Sequence, residues 1–329
     1  MNIDMHSHVI PQLLIDAMTA EPDGFGTRIE MRDGKRYVVR AMNTFELEPV
    51  FYDVDAKLET MDRMGLDIAV LSAAPPAYCY WLPAEQGARA ARLVNDGIAL
   101  MVEERRARLR GIATLPMQDA DAAIAELERV AKEYGFKGVE LGTSIEGALL
   151  ADPKFRPVLK RIEQLGMFVF THPYGCVAKG GLDRYYLINL VGFPLDTTLM
   201  VAHLMFSGAL DELKTLKFVL PHGGGFVPYQ IGRFAHGHTV RSETRAHTQS
   251  APFDYLKRFT FDALTHFPQS VRHLIDTVGA ERVVLGSDCP FDMAEAAPVQ
   301  ALESVPRLSV AERERISSVN ALELLGERA

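Results

Sequence analysis

Ile3-Asp4-Met5-His6-Ser7-His8 sets two histidines one residue apart in a run that suits a β-strand. An extended chain sends residues i and i+2 to the same face, so both imidazoles can meet one metal ion while Ser7 turns away. A lone His-x-His is common by chance and carries little weight. Three later stretches share its logic: Phe168-Val169-Phe170-Thr171-His172-Pro173, Phe218-Val219-Leu220-Pro221-His222-Gly223-Gly224-Gly225 and Val283-Val284-Leu285-Gly286-Ser287-Asp288-Cys289-Pro290. Each runs an apolar strand into a residue able to bind metal, and a turn former follows.

Working outward, further strand-like runs fall at 68–73, 109–116 and 136–142, and the later ones at 167–171, 217–221, 258–263 and 282–286. Amphipathic stretches separate them, among them 84–106, 120–134 and 153–165, the last opening with Asp152 as N-cap and Pro153 at the first helical position. Eight βα units in series predict an α/β fold, a single (β/α)8 TIM barrel spanning residues 1–329 as one domain, with its chemistry at the C-terminal strand ends. A small flap insertion is expected at about 20–50, where residues 28–39 read as a hairpin turning at Asp33-Gly34. A second interruption, 180–199, carries Arg184-Tyr185-Tyr186 ahead of a helix beginning near Pro194.

With 329 residues, 48% of them hydrophobic, the chain can bury a large core. A net charge of −8 without a basic run argues against a nucleic-acid partner. No run resembles a membrane span of about 20 apolar residues, and the start lacks the pattern of a signal peptide. The scattered, odd-numbered Cys79, Cys176 and Cys289 predict a reducing, cytoplasmic setting.

Three neutral imidazoles and one carboxylate around a divalent ion leave a position open to water, the arrangement of catalytic zinc. Such an ion brings its water to a pKa of about 7 and polarises a carbonyl, and a nearby histidine outside the ligand set can exchange protons with it. From the residues alone, His172 and His222 compete for the third imidazole position.

His6-Ser7-His8, Thr171-His172-Pro173, Pro221 to Gly225 and Gly286-Ser287-Asp288-Cys289-Pro290-Phe291 together resemble the amidohydrolase superfamily, in its branch of amino-carboxymuconate-semialdehyde decarboxylase and relatives. The resemblance runs through nearly the whole chain, including 190–209 and Gly232-Arg233. It implies zinc ligands His6, His8, His172 and Asp288, with His222 and Asp288 as the catalytic pair and His222 as acid/base. Two-metal members use a carbamylated lysine at the end of the fourth strand; here that strand reads Gly138-Val139-Glu140-Leu141-Gly142, which implies one metal. Glu140 reads as a carboxylate satisfied by hydrogen bonds rather than a ligand of a second ion.

The implied activity is non-oxidative decarboxylation of an unsaturated or aromatic carboxylic acid, using zinc-bound water and His222. The same scaffold also serves hydrolases of C–N or C–C bonds and hydratases acting on small organic acids, and a non-catalytic metal-binding barrel is a third reading. Arg241 lies where the family supplies an arginine from the neighbouring subunit to hold a substrate carboxylate, which implies a homodimer or larger homo-oligomer. The flap's matching arginine falls in Asn43-Thr44-Phe45-Glu46 and is replaced by Glu46, so a monoacid is expected. Tyr186 is a candidate to stack on the substrate and Trp81 to wall the pocket. His203, in an apolar helical run, reads as a core histidine.

Overall fold

The computed structural model describes residues 1–40 and 44–328, so Asn43 lies outside the described residues. In chain order, β1 (Ile3–Val9) is followed by an antiparallel sheet of β2 (Arg28–Arg32), β3 (Lys35–Val39) and β4 (Thr44–Glu46). Then come β5 (Ile68–Ala73), β6 (Leu109–Gly111), β7 (Ala113–Thr114) and β8 (Gly138–Gly142). A short hairpin of β9 (Ser144–Ile145) and β10 (Ala148–Leu149) precedes β11 (Phe168–His172), β12 (Lys217–Leu220), β13 (Phe259–Asp262) and β14 (Val283–Val284).

All eight expected strands are present, and every long one pairs in parallel. The third is broken at Ile112 into β6 and β7, which divides the ladder into β1-β5-β6 and β14-β13-β12-β11-β8-β7. The hairpin of β2 and β3 turns at Asp33-Gly34, where both residues take positive φ, as the Asp-Gly pair requires.

Helices fill the crossovers. Val54–Met64 is capped by Asp53, whose carboxylate accepts from Ala56 N at 2.8 Å, and Ala120–Glu133 by Asp119 in the same way. Asp152 caps the turn Pro153–Phe155 ahead of helix Arg156–Gln164. The helix expected near Pro194 starts earlier. A π-turn at Ile188–Gly192, closed by Phe193 N donating to Ile188 O, runs straight into Phe193–Phe206, so Pro194 lies inside a continuous helix beside a π-turn, a place where helices tolerate a break in the regular ladder. Together they form one helix of 19 residues, long and apolar enough by length and composition to cross a membrane, where the sequence reading expects no such run. Its Asp196 is fully buried and accepts from Thr143 Oγ1 (2.6 Å), Ser144 Oγ (2.9 Å) and Val177 N (2.9 Å), so the middle of this helix is anchored to protein, while Leu190 and Val191 near its start stay exposed. His203 faces out of it and is exposed, contrary to the core role expected.

The core is organised by strand parity. Ile3 and Met5 of β1, Ile68 and Val70 of β5, Phe168 and Phe170 of β11, Val219 of β12 and Val284 of β14 share one apolar cluster drawn from both sheets. The alternate residues, such as Val139, Leu141, Val169, Phe218 and Phe261, pack under the helices. On β8, β11 and β13 the same alternation carries Glu140, His172 and Asp262 to the inner side at the strand ends.

β1 departs from this rule. Its pairing with β5 shifts by one residue between Asp4 and Ser7: Asp4 pairs with Ala69, but Ser7 with Leu71. The extra residue switches parity, so inward positions change from Ile3 and Met5 to His6 and His8, as bulges beside functional sites do. The chain after β12 is held by Gly225 (φ 63°), where a Cβ would meet Pro194 O at 2.3 Å. Gly225→Ala is expected to destabilise the fold by about 1–3 kcal/mol through overpacking; an unchanged urea midpoint would show that this turn can shift freely.

Candidate metal centre

The four strand-end segments converge. His6 Nε2 and His8 Nε2 lie 3.0 Å apart, and both face Asp288 Oδ1, at 3.3 and 3.1 Å. His172 Nε2 approaches the same oxygen at 3.7 Å, whereas His222 Nε2 faces the other oxygen, Oδ2, at 3.5 Å. The carboxylate thus divides the histidines: three address Oδ1 and one addresses Oδ2. His6, His8 and His172 are buried, while the His222 side chain keeps 20% of its surface exposed. Both His222 and Asp288 sit at positive φ (53° and 61°), strain that survives where the surroundings hold it in place.

The ring orientations are set from behind. His6 Nδ1 lies 2.7 Å from Asp262 Oδ2 and His172 Nδ1 lies 2.9 Å from Pro173 O, so each Nδ1–H donates and aims Nε2 at the centre, as a lone pair on His172 and on His6 once its second proton is released. Buried His172 Nε2 and Asp288 Oδ1 have no hydrogen-bond partner, a cost that polar atoms do not bear without cause. Nitrogen and oxygen donors aimed at one small volume fit a divalent cation.

Electrostatics agree. Burial works against a charged Asp288, yet the surrounding histidines, His6 foremost, hold its pKa well below the usual carboxylate range. Burial likewise opposes a proton on His6, but Asp288 and Asp262 overcome it and raise its pKa well above the ordinary value. His172 goes the other way: burial lowers its pKa well below normal and keeps it a neutral donor.

Glu140, read from sequence as a satisfied carboxylate, is half so. Oε1 accepts from the Tyr78 hydroxyl and lies 3.6 Å from His8 Nδ1, but the buried Oε2 has no partner. Burial raises the Glu140 pKa.

A layer beneath the site was not singled out from sequence. Asp4 accepts from Ser287 Oγ (2.5 Å) and from the backbone N of His6 and Ser287 (both 3.0 Å). Fully buried Lys57 donates to His8 O at 2.9 Å and Ser7 Oγ at 3.2 Å, and burial lowers its pKa. The signal was present: Lys57 falls between Val54 and Met61 on the buried face of its helix.

A cavity of about 570 Å³ opens over His172, His222 and Asp288, lined further by Arg40, Tyr174 and Tyr186. Tyr186 donates to Asp292 Oδ1 at 3.3 Å. A second cavity of about 590 Å³ lies on the other side of His222 and includes His266. Trp81 stands behind the first cavity, stacked on Tyr174, with its indole N–H donating to Phe25 O. Arg241 lies far out on the surface: its side chain is 66% exposed and pairs with Glu243. Arg40 was not among the residues read from sequence.

The amidohydrolase family profile matches residues 3–326. The chain is 33% identical to the 2-amino-3-carboxymuconate-6-semialdehyde decarboxylase of Dictyostelium discoideum, covering 99% of this chain and 92% of that protein. It is 30% identical to a gamma-resorcylate decarboxylase from a Rhizobium species, covering 82% and 86% respectively. A 5-carboxyvanillate decarboxylase of Novosphingobium aromaticivorans, solved with bound manganese, shares the fold with a TM-score of 0.84 at 20% identity, over 99% of this chain and 97% of that one.

Purified protein is expected to carry one divalent ion per chain by elemental analysis, and Asp288→Ala to lose both metal and activity. Because the metal-free site keeps a proton on His6 above the ordinary histidine pKa, metal uptake near neutral pH should release that proton and weaken as pH falls. Calorimetry in buffers of different ionisation enthalpy would reveal it; buffer-independent heats would contradict it.

Proposed function

The chain belongs to the amidohydrolase family, and from that premise we propose that it is a metal-dependent carboxy-lyase, releasing CO2 from an aromatic or unsaturated carboxylic acid without an oxidant. The observation that carries this reading is the division of Asp288, with Oδ1 toward three buried imidazoles and Oδ2 toward the one histidine open to the cavity. Relatives named as decarboxylases match over most of the chain.

His6, His8, His172 and Asp288 are the proposed metal ligands. A divalent ion there supplies Lewis acidity toward a substrate oxygen and toward water. The three-nitrogen, one-oxygen donor set is that of catalytic zinc, the ion we propose. His222, outside the set but within reach of substrate, gives its proton to the carbon bearing the carboxylate. The C–C bond to the carboxylate then breaks, CO2 leaves, and the bonding pair restores the unsaturated system. Tyr186 lines the cavity beside a planar substrate, and Trp81, which does not line it, backs the wall by stacking on Tyr174.

The single-domain (β/α)8 barrel is part of this reading. Its closure is supported by hydrogen bonds from Met5 N to Leu285 O (2.9 Å), His8 N to Cys289 O (2.8 Å) and Asp288 N to His6 O (2.8 Å), which tie β1 to the chain leaving β14. The inserted antiparallel sheet acts as a flap, since Arg40, Thr44 and Glu46 reach the cavity. The free, buried state of Cys79, Cys176 and Cys289 fits a reducing cytoplasm.

Arg241 serves a partner's site in a homodimer. It ends helix Val227–Val240, which leaves Tyr229 and Val240 exposed. Arg241→Ala should lower kcat/KM with metal content unchanged, by at most about 2–5 kcal/mol for an unpaired substrate charge. Mixing it with inactive Asp288→Ala chains should restore one competent site per mixed dimer; if mixtures show no gain, the shared site is wrong.

The reaction is tested by offering the zinc-loaded protein a panel of aromatic and unsaturated acids. CO2 evolution is expected; hydrolysis products without CO2 would overturn the proposal. His222→Ala should keep the metal and lose activity by about 10²-fold or more, whereas parallel loss of metal would make His222 a ligand.

A further inference from the structure

His222 stands between two cavities, of about 570 and 590 Å³, and both also reach Asp288. We propose that the second is a proton inlet, in which His266 passes protons from solvent through water to His222 while the substrate fills the first. This rests on the decarboxylase reading, because that reaction consumes a proton. The substrate arrives as a carboxylate, the C–C bond breaks, CO2 leaves without a hydrogen, and the carbon keeps a proton in its place. Each turnover therefore draws one proton from water. An acid occupying the first cavity displaces the water there, so the proton has to come from the other side of His222.

The second cavity is furnished for that traffic. His222, His266 and His273 line it, three of the chain's ten histidines, together with Thr265, Gln269 and Ser270. Hydroxyl and amide groups hold water, and imidazole is the side chain that exchanges protons near neutral pH. Histidines aside, Asp288 is the single charged residue among the described ones that line this cavity, so no lysine or arginine there repels an incoming proton. The rim meets solvent, since His266, Phe267 and His273 are all exposed.

His266 is placed to link the rim with the centre. Gly223, next to His222, packs so closely on Thr265, next to His266, that a Cβ there would meet Thr265 Cγ2 at 2.7 Å. The two histidines thus leave neighbouring points of the backbone. His266 holds a left-handed conformation (φ 54°), strain that persists where the surroundings impose it. Glu295 Oε2 lies 3.8 Å from its Nδ1, beyond hydrogen-bond reach, and the side chain is 43% exposed, so the ring is free to turn between solvent and cavity. His222 is unanchored too. Its Nδ1 has no hydrogen-bond partner among the described residues, whereas Nδ1 of His6 and of His172 is held at 2.7 and 2.9 Å. His266 itself touches no reacting atom and acts on His222 through water.

Access and turnover are tested separately. In the first arm the zinc-loaded protein is saturated with benzoate and treated with diethyl pyrocarbonate, and acylation of His222 is read by peptide mass spectrometry. His222 should stay reactive beside bound benzoate and become protected in Ser270→Trp, whose ring fills the rim from an exposed helix position. In the second arm CO2 release is followed for any acid that is turned over. His266→Ala should lower kcat about tenfold in dilute buffer with little change in KM, and added imidazole should restore it, a rescue that a merely structural role would not show. Ser270→Trp should lower kcat without rescue. Protection of His222 by benzoate alone, or a His266→Ala kcat that is unchanged in dilute buffer or lowered without response to imidazole, overturns the proposal. If no acid releases CO2, yet His222 stays reactive beside benzoate and is shielded in Ser270→Trp, the decarboxylase reading falls and the inlet stands. CO2 release together with any of the overturning results does the reverse.

Discussion

Burying the Asp288 carboxylate among imidazoles is the constraint from which the rest of the centre follows. A carboxylate taken out of water needs compensation by positive charge and hydrogen bonds. Here that compensation comes from four histidines on three separate stretches of chain. Without a metal, one of them must hold a proton, and His6 is the best placed because a second carboxylate, Asp262, lies against its other nitrogen. A divalent ion supplies the same positive charge without that proton. The metal-free site is therefore a protonated stand-in for the metal-loaded one, and the acid groups around His6 serve both.

Placing two histidines of β1 beside Asp288 demands a break in the strand's own alternation. The lower half of β1 sends Ile3 and Met5 into the apolar cluster; regular pairing would have carried Ser7 inward next. The one-residue shift turns His6 and His8 in instead, and the distorted segment then needs support. Asp4 gathers the loosened backbone N–H of His6 with Ser287 on the neighbouring chain, and Lys57 takes the His8 carbonyl and the Ser7 hydroxyl from the outside. The buried acid and the buried base lower each other's cost across the bulge. The inward pair His6 and His8 on one side of β1 and this polar layer on the other are two faces of one local distortion.

These relations explain what could be read along the chain. Strand-end ligands are legible because each follows a dense apolar run, and runs such as Phe168-Val169-Phe170 have few ways to be buried except as covered parallel strands. The different placement of His172 and His222 is not legible from spacing, since it lies in which oxygen of Asp288 each ring meets. The bulge is equally hidden, because His-x-His predicts the same face whether or not parity switches below it. Lys57 could have been found, as a lysine on the apolar stripe of its helix, and Asp262 as a carboxylate ending Phe259-Thr260-Phe261. The helix through Gly192-Phe193-Pro194 was cut short in the reading because glycine and proline usually end a helix, whereas here a π-turn carries the chain across them.

Arg40 was missed for a more instructive reason. Matching the chain to its family position by position finds Glu46 where an arginine is expected, and the natural conclusion is that a positive charge has been lost. The fold measures something else: which charges face the cavity, whatever their place along the inserted segment. His6, His8 and His172 lie within strands, held by ladder hydrogen bonds. Arg40, Trp81, Tyr174 and Tyr186 stand on connecting segments, outside the parallel strands. Substrate choice in such an enzyme therefore has to be read from the cavity wall, because an alignment records residues by order and an anion responds only to where the charge lies.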